Sequence, residues 1–341
     1  MAYSLGLGLT NECNLTCAHC YRPTGGVFRL SPNDVRRTCD SIPIASVNLG
    51  TGENGLHPDF IAITEHLIAR DIRTSLTTNG YTVRVMPDDL LRSLAEVEFS
   101  FDFPTPAEQD VFRGPGSWEL AMRGMERCQA LGLTVTIISV MMRTNYRRLS
   151  EVARVAHACG ANFRVNVYQP VKSDAFSLSY EEFWEGWRLL LAVASMVGTT
   201  EPIVNVMLGL NNLSGCACGR RTLRLTPKRR VVPCVYWPGD GIPLERLWEL
   251  GETIFQRDDM CAAQVVPVAC RGCDFEQTCA GGCVGRRILS GDLTAPDPYC
   301  PIVRGESPRL TRRLVQGPSL LKSGSACTTI LRFDGEAGHA A

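Results

Sequence analysis

Sixteen cysteines in a chain of 341 residues limit what this protein can fold into more than any other feature of its sequence. Three of them lie within Cys13–Cys20, and nine lie between residues 211 and 300, in a segment rich in glycine and proline. A segment of that kind is ordered by bound metal more readily than by a large apolar core. Met1–Leu9 lack the charged and apolar regions of a secretory signal. We therefore expect a cytoplasmic protein whose clustered, reduced cysteines hold metal rather than form disulfides.

The charge balance argues against two classes of partner. The chain carries 35 basic and 35 acidic residues, so its formal net charge is zero. A protein whose main partner is nucleic acid or an anionic membrane carries a basic surplus, and we therefore expect neither. The sequence also contains no run of 18 or more apolar residues, which predicts that no segment spans a membrane.

The first two-thirds of the chain alternate β-type and helical segments. Helical segments begin at capping residues or prolines, and strands are rich in β-branched and apolar residues. The predicted strands are Ser4–Thr10, Ala45–Gly50, Ile72–Thr78, Val97–Asp102, Thr134–Met141 and Asn162–Tyr168. Six successive βα units predict parallel strands joined by right-handed crossovers. Because a complete barrel has eight such units, we expect an α/β fold with a partial (β/α)6 barrel.

The remainder of the chain is predicted to be less regular. A further helix is expected at about Ser179–Val197, and the cysteine-rich segment follows it. The last residues, rich in Gly, Ser and Arg, are expected to form a flexible tail with one short strand, Thr329–Phe333. We therefore predict a core at residues 1–205, a loop-rich metal-binding domain at residues 206–303 and the tail at residues 304–341.

The first cysteine motif, Cys13-x3-Cys17-x2-Cys20, directly follows the first predicted strand. Its three thiolates can converge on one soft metal centre, at the end of a strand where α/β folds place their ligands. Two interpretations are open from these residues. One is a zinc site with His19 as the fourth ligand. The other is a cubane iron–sulfur cluster that leaves one iron open for a small molecule.

Two loops that follow favour the cubane cluster. The second predicted strand ends in Thr51-Gly52-Glu53-Asn54, and the third ends in Thr78-Asn79-Gly80. Either loop alone is typical of a turn. In this order after the three cysteines, they resemble the radical S-adenosylmethionine (SAM) superfamily, in which the first loop usually reads Gly-Gly-Glu-Pro. Ser100-Phe101-Asp102 and Arg113-Gly114 resemble further features of that family, and the resemblance covers residues 4 to about 170.

The resemblance implies a 4Fe–4S cluster on Cys13, Cys17 and Cys20, with SAM bound at its open iron. Reductive cleavage of SAM would then produce a 5′-deoxyadenosyl radical that abstracts hydrogen from a substrate carbon. The resemblance also places several residues around SAM, although Thr51 and Asn54 depart from the usual glycine and proline. The expected SAM-binding residues are His19 beside the adenine, Thr51, Gly52 and Glu53 at the amino group, Asn79, Ser100, and Arg143 and Gln169 at the carboxylate or ribose. Asp102 is expected to be either a catalytic base or a structural anchor.

A second cysteine motif, Cys270-x2-Cys273-x5-Cys279-x3-Cys283, is longer and more specific. A zinc ribbon would use four ligands and leave the other cysteines unexplained. With Cys300 downstream and Cys216, Cys218 and Cys234 upstream, the arrangement resembles the SPASM extension of radical SAM enzymes, which carries two auxiliary 4Fe–4S clusters. The resemblance implies an outer cluster on Cys270, Cys273, Cys279 and Cys300. It implies an inner cluster on Cys218, Cys234 and Cys283, with Cys216 as a candidate fourth ligand.

The other five cysteines are expected to have lesser roles. Cys39, Cys128 and Cys159 lie on apolar faces of predicted helices, where a free cysteine packs as a small hydrophobic residue. Cys261 is a weaker competitor for the inner cluster. Cys327 lies in the predicted tail, and no role is expected for it.

The implied function is a radical SAM oxidoreductase, because auxiliary clusters can accept the electron left on a product radical. We favour maturation of a ribosomally synthesised peptide by crosslinking or dehydrogenation. The alternative substrate is a sugar, nucleoside or aminocyclitol that is dehydrogenated, epimerised or joined through a new carbon–carbon bond. An alternative of another class is an iron–sulfur electron carrier without SAM chemistry. Expected partners are a low-potential electron donor such as flavodoxin or ferredoxin and, because the first strand begins at about Ser4, a separate leader-peptide recognition protein.

Overall fold

A computed structural model describes residues 2–210, 212–315 and 327–333 of the chain. Its central feature is one sheet of eleven strands in the order β10-β9-β8-β1-β2-β3-β4-β5-β6-β11-β7. The strands are β1 (Tyr3–Leu7), β2 (Ile44–Leu49), β3 (Arg73–Thr78), β4 (Glu96–Ser100), β5 (Val135–Met141), β6 (Asn162–Val167), β7 (Ala194–Thr199), β8 (Thr222–Thr226), β9 (Arg230–Val232), β10 (Ile242–Pro243) and β11 (Thr328–Phe333).

Helices connect the strands and cover the sheet. Two of them begin at capping boxes, since Ser31 and Ser179 each accept a hydrogen bond from the backbone three residues on and donate one in return. The helices are α1 (Pro32–Ser41), α2 (Phe60–Ala69), α3 (Tyr81–Val85), α4 (Asp88–Arg92), α5 (Pro106–Arg113), α6 (Ser117–Ala130), α7 (Leu149–Ala158), α8 (Tyr180–Val193), α9 (Pro202–Met207), α10 (Leu244–Leu250), α11 (Asp258–Ala262), α12 (Glu276–Cys279) and α13 (Val284–Leu289). Among the described residues, no helix is both long and apolar enough to cross a membrane.

The six predicted strands form the parallel part of the sheet. Strands β1 to β6 pair in chain order, and each pair is parallel. The predicted α/β class and partial (β/α)6 barrel are therefore confirmed. Because parallel strands end at a common edge, the loops after β1, β2, β3 and β4 lie next to one another.

The interior of the barrel is polar as well as apolar. Glu98 of β4 forms an ion pair with Arg164 of β6, with 2.8 Å between Oε1 and Nε, and both side chains are buried. Glu96 lies 3.4 Å from the same guanidinium. Burial and the neighbouring Glu98 raise the pKa of Glu96, although Arg164 opposes the shift. Charged residues at alternating positions of buried strands show that these side chains point into an enclosed polar space.

The region after the barrel differs from its prediction in two places. The predicted helix at Ser179–Val197 ends at Val193, and Ala194–Thr199 instead forms β7. The short strand in the predicted tail is present as β11, but it is not part of a flexible tail, because it lies between β6 and β7 and pairs antiparallel with both. These two corrections have one cause, since each of β7 and β11 supplies the other with a hydrogen-bonding edge. The remainder of the predicted tail at 316–326 and 334–341 lies outside the described residues.

The cysteine-rich region shares the sheet with the barrel. Strand β8, which follows the predicted boundary at residue 205, pairs parallel with β1. Strands β9 and β10 continue this edge in antiparallel pairs. The region after residue 205 therefore begins as an extension of the barrel wall next to the N-terminal cysteine loop, and the boundaries of the three units stay a prediction.

Candidate active site

The N-terminal cysteine loop crosses the end of β1 and is held by two polar side chains. Asn11 donates through Nδ2 to the carbonyl oxygens of Pro23 and Gly26 and accepts from Phe28 N. Arg22 donates to the carbonyl oxygens of Asn11 and Leu15. These bonds fold the loop back on itself, and its three cysteines all line one cavity beneath it: Cys13, Cys17 and Cys20.

The three thiols are half-buried. Burial raises the pKa of the Cys13 thiol to about 11 and raises that of Cys17 as well. Asn79 donates toward Cys13 Sγ at 3.7 Å, and a thiolate would strengthen this contact. A cysteine binds metal as its thiolate, so metal binding to these thiols would release their protons.

Gly52 brings the loop after β2 into contact with the cysteine loop. Its φ of +67° suits glycine, and a Cβ at this position would lie 2.5 Å from the carbonyl oxygens of Thr10 and Glu12. The next amide, Glu53 N, donates to Glu12 O at 2.7 Å. Gly52 therefore lines the cavity, whereas the side chain of Thr51 does not and instead lies 3.3 Å from the Tyr21 hydroxyl.

Glu53 is buried, and its carboxylate is bound by the chain itself. Oε1 accepts hydrogen bonds from the Thr78 hydroxyl at 2.5 Å, from Thr82 N at 2.8 Å and from the Thr82 hydroxyl. Oε2 accepts from Asn79 N at 2.9 Å. Burial raises the pKa of Glu53, and these bonds oppose the shift. A carboxylate has about four acceptor positions, so the expected bond to an amino group of SAM is limited to the free position on Oε2.

Asp102 has two expected roles, catalytic base or structural anchor, and its contacts in the structure are those of an anchor. Its carboxylate does not line the cavity and is fully buried. Oδ2 accepts from Arg113 Nε at 2.8 Å and lies 2.7 Å from Nη2, while Oδ1 accepts from Val140 N at 2.9 Å. Both oxygens are thus occupied by contacts within the chain, which favours the anchor, and the role of a base stays an untested alternative.

His19 lines the cavity and is positioned by an aromatic ring and by Asp102. Its imidazole stacks on Phe112 with 4.9 Å between ring centroids, and Nε2 lies 3.5 Å from Asp102 Oδ2. Burial lowers the pKa of His19 to about 4, so the ring is neutral at physiological pH. A neutral, stacked ring suits the expected contact with a base such as adenine.

Gln169 and Arg143 are both expected near SAM, but only Gln169 lines the cavity. Gln169 is buried and lines the cavity, and its Nε2 lies 4.0 Å from Cys283 Sγ. The side chain of Arg143 is 52% exposed and forms an ion pair with Glu182 at 3.3 Å. Arg143 does not line the cavity, since the loop after β5 carries its side chain to the surface, and this position does not support its predicted contact with SAM.

Ser100 and Asn79 both line the cavity, and their contacts with SAM stay a prediction. Asn79 also bonds to Asn14 Oδ1 at 2.9 Å. Tyr168, the residue before Gln169, lines the same wall and donates to Ser173 O.

The cavity itself occupies about 1250 Å³, counting the space at its open mouth. Three buried polar atoms of its lining have no hydrogen-bond partner among the described residues: His19 Nδ1, Asn166 Oδ1 and Gln169 Oε1. Buried polar atoms are nearly always satisfied in native proteins, so unpaired atoms on a cavity wall indicate a polar ligand. Three thiols beside donors, acceptors and a stacked imidazole fit a cluster with SAM bound to it.

Several lining residues come from places that the motifs did not indicate. Arg224 of β8 donates a hydrogen bond from Nη2 to the Tyr21 hydroxyl at 3.3 Å, and Tyr236 packs edge-on against the Tyr21 ring. Asn48 and Glu98 line the floor. The sequence does carry a signal for the floor, since isolated polar residues interrupt apolar strands, but nothing local in it places Arg224 or Tyr236 beside the first cysteine motif.

The four cysteines assigned to the outer cluster also share a cavity. A separate cavity of about 400 Å³, counting the open space at its mouth, is lined by Cys270, Cys273, Cys279 and Cys300. Burial raises the pKa of Cys270 to about 11 and that of Cys279 to about 12. The donor set of four thiols around one space fits an iron–sulfur cluster.

Asp297 connects the two cysteine groups of the extension. Its carboxylate accepts from Cys283 N at 2.8 Å, and its carbonyl oxygen accepts from Cys300 N at 2.9 Å. Arg286 holds Asp297 and Glu201 in a buried ion-pair network. This network holds the backbone at Cys283, which is assigned to the inner cluster, and at Cys300, which is assigned to the outer one.

The cysteines assigned to the inner cluster are Cys216, Cys218, Cys234 and Cys283, and all four are buried. The remaining cysteines divide as follows. Cys39 and Cys128 are buried in the core and Cys159 packs against it, while Cys261 is exposed. Cys327 is not isolated, since its Sγ lies 3.9 Å from that of Cys216.

Residues 7–156 match the Radical SAM superfamily. Among curated proteins, the chain is 28% identical over 338 residues to the mycofactocin maturase MftC of Mycobacterium tuberculosis, covering 89% of this chain and 84% of that protein. It is 22% identical over 329 residues to the PqqA peptide cyclase of Gluconobacter oxydans, covering 88% and 90%. Among solved structures, Streptococcus suis SuiB bound to the precursor peptide SuiA is similar with a TM-score of 0.62 and 13% identity, covering 87% of this chain and 75% of that one.

Proposed function

Because the chain is a radical SAM enzyme with a C-terminal SPASM extension, we propose that it oxidatively matures a ribosomally synthesised peptide. The observation that carries the proposal is similarity along almost the whole chain to two relatives, a mycofactocin maturase and a PqqA peptide cyclase. SuiB, which shares the fold, was solved with a precursor peptide. Similarity that extends through both cysteine regions supports a shared type of substrate, beyond a shared radical-forming domain.

The cofactors are SAM and 4Fe–4S clusters. When bound, SAM at a reduced cluster would supply radical abstraction of hydrogen from a substrate carbon, and the auxiliary clusters would accept the electron that an oxidised product gives up. We assign Cys13, Cys17 and Cys20 to the SAM-binding cluster and Cys270, Cys273, Cys279 and Cys300 to the outer auxiliary cluster. An external low-potential donor such as flavodoxin or ferredoxin would supply the electron.

The chain's own residues bind and orient the reactants. Asn79, Ser100 and Gln169 provide hydrogen-bonding groups on the cavity wall, and the neutral ring of His19 provides a stacking surface. Arg113, held by Asp102, presents a fixed positive charge for a carboxylate. Arg224 and Tyr236 line the same cavity from the extension, where they would limit the access of water to bound SAM.

The proposal is tested with anaerobically reconstituted enzyme, SAM, a low-potential reductant and a short peptide encoded beside its gene. The assay is run with and without any recognition protein encoded nearby. We expect 5′-deoxyadenosine and a peptide that has lost the mass of two hydrogen atoms, as a crosslink or a dehydrogenated residue requires. Formation of 5′-deoxyadenosine with no change in any such peptide would contradict a peptide substrate and favour a sugar, nucleoside or aminocyclitol.

A further inference from the structure

Five cysteine thiols form a continuous group at the junction of the barrel and the extension. Cys216 contacts Cys218 on one side and Cys327 on the other, with 3.9 Å between Cys216 Sγ and Cys327 Sγ. Cys218 also contacts Cys234, and Cys327 also contacts Cys283. Four of these cysteines are assigned to the inner auxiliary cluster on their spacing, whereas Cys327 lies more than 40 residues after Cys283 and belongs to no motif.

The position of Cys327 is set by the sheet. It directly precedes β11, whose first residue, Thr328, is paired in register with Asn166 of β6. Thr328 N donates to the Thr200 hydroxyl at 3.1 Å, and Thr200 N donates to Thr328 O at 2.8 Å. Because β11 runs antiparallel to β6, its first residues lie at the edge where β6 ends, which is the edge that carries Gln169 and the cavity.

The surroundings of the group suit a buried cluster. Ala263 and Val284 pack against these cysteines, together with the partly buried Tyr236, Trp237 and Leu293. Gln169 links the group to the SAM cavity through its contact with Cys283 Sγ. The thiols therefore lie among apolar side chains next to the SAM cavity, a position that suits a cluster exchanging electrons with a bound substrate.

A 4Fe–4S cluster takes four protein ligands, and five thiols are present. Cys216 and Cys218 are separated by a single residue, which is shorter than the two-residue spacing common among cluster ligands. Because one residue is too short a spacing for two separate ligand positions, we count this pair as one ligand. That ligand with Cys234 and Cys283 makes three, and Cys327 is the remaining thiol of the group.

We propose that Cys327 is a ligand of the inner auxiliary cluster, completing it with Cys234, Cys283 and one member of the pair Cys216 and Cys218. The proposal rests on the assignment of the extension to auxiliary clusters. It gives the C-terminal strand a function, because β11 then anchors the cluster to the barrel through a covalent ligand.

The test measures iron, sulfide and electron paramagnetic resonance spectra of the full chain after anaerobic reconstitution, without peptide or turnover. Wild-type protein is expected to bind about twelve irons per chain. For Cys327→Ser we expect either a fall to about eight irons or a changed signal from one auxiliary cluster. The signal of the SAM-binding cluster should be unchanged in both cases. The matched control is Cys261→Ser, since Cys261 is exposed and lies in the same extension, and it should retain the wild-type iron content and spectrum.

Cys327→Ser with about twelve irons and a wild-type spectrum would overturn the proposal. A second measurement uses the wild-type chain and so does not depend on the folding of a variant. Thiol alkylation followed by peptide mapping should modify Cys327 in cluster-free protein and spare it in reconstituted protein, whereas Cys261 should react in both. Alkylation of Cys327 in the fully reconstituted enzyme, or a Cys216–Cys327 disulfide in it, would also overturn the proposal. These measurements need no substrate. A protein that binds about twelve irons but does not modify the peptide would therefore contradict the proposed substrate and leave the proposal for Cys327 intact.

Discussion

Replacing Asp102 by asparagine separates its role as an anchor from the role of a base. The Asp102 carboxylate is fully buried and binds Arg113 through two short contacts, at 2.8 and 2.7 Å, as well as Val140 N. Removing one charge from a buried pair costs about 3–5 kcal/mol, because the other charge stays buried and uncompensated. Asparagine keeps an oxygen that can accept from Val140 N. We therefore expect the lower end, about 3 kcal/mol, which is roughly a hundredfold change in the folding equilibrium.

The assay is anaerobic urea unfolding followed by tryptophan fluorescence. Trp118 packs edge-on against Phe101, which precedes Asp102, and so reports on this part of the fold. The matched control is Glu119→Gln, which removes the exposed partner of Arg123 and should cost no more than about 0.5 kcal/mol. If Asp102→Asn were as stable as wild type and still cleaved SAM but did not turn over substrate, the base interpretation would be restored and our reasoning refuted.

Three further variants test the site. Cys17→Ala should abolish 5′-deoxyadenosine formation and lower the iron content from about twelve to about eight per chain, and an unchanged iron content would exclude Cys17 as a ligand. Gly52→Ala should lower the free energy of unfolding by about 1–3 kcal/mol. The new Cβ would lie 2.5 Å from two carbonyl oxygens of the cysteine loop, in a backbone conformation that suits glycine. An unaltered melting temperature would argue against this close approach. Arg143→Ala should change stability by less than about 1 kcal/mol and leave the dissociation constant of SAM unaltered, as measured by calorimetry, whereas tenfold weaker binding would place Arg143 at the site after all.

Local patterns are enough to predict the barrel. The apolar runs and capping signals of residues 4–170 correspond to β1–β6 and their helices, because parallel βα units have few ways of packing. The exceptions lie after residue 178, where the helix ends four residues earlier than its composition suggests. Ala194–Thr199 mixes apolar, hydroxyl and small residues and is compatible with either structure. A partner strand more than 120 residues away determines which one forms.

The same division applies to the site residues. Gly52 and Asn79 line the cavity as their motifs predict, because each lies in a short motif at the end of a strand. Asp102 and Arg143 also lie after strands, but strand position alone does not fix the direction of a side chain. Arg113, which lines the cavity, holds Asp102 behind it, and the loop after β5 turns Arg143 outward.

The sequence by itself determined that this protein gathers thiols for metal, since sixteen cysteines, most of them in two closely spaced groups, are typical of metal-binding chains. It also determined the order of the barrel strands, because periodicity and turn signals act over a few residues. Only the tertiary structure decided which side chains face the cavity, which groups donate hydrogen bonds to the Glu53 carboxylate and which thiols lie beside Cys327. Those outcomes depend on contacts between residues that are distant along the chain, such as Cys216 and Cys327, and no local pattern records which distant strand will complete a sheet.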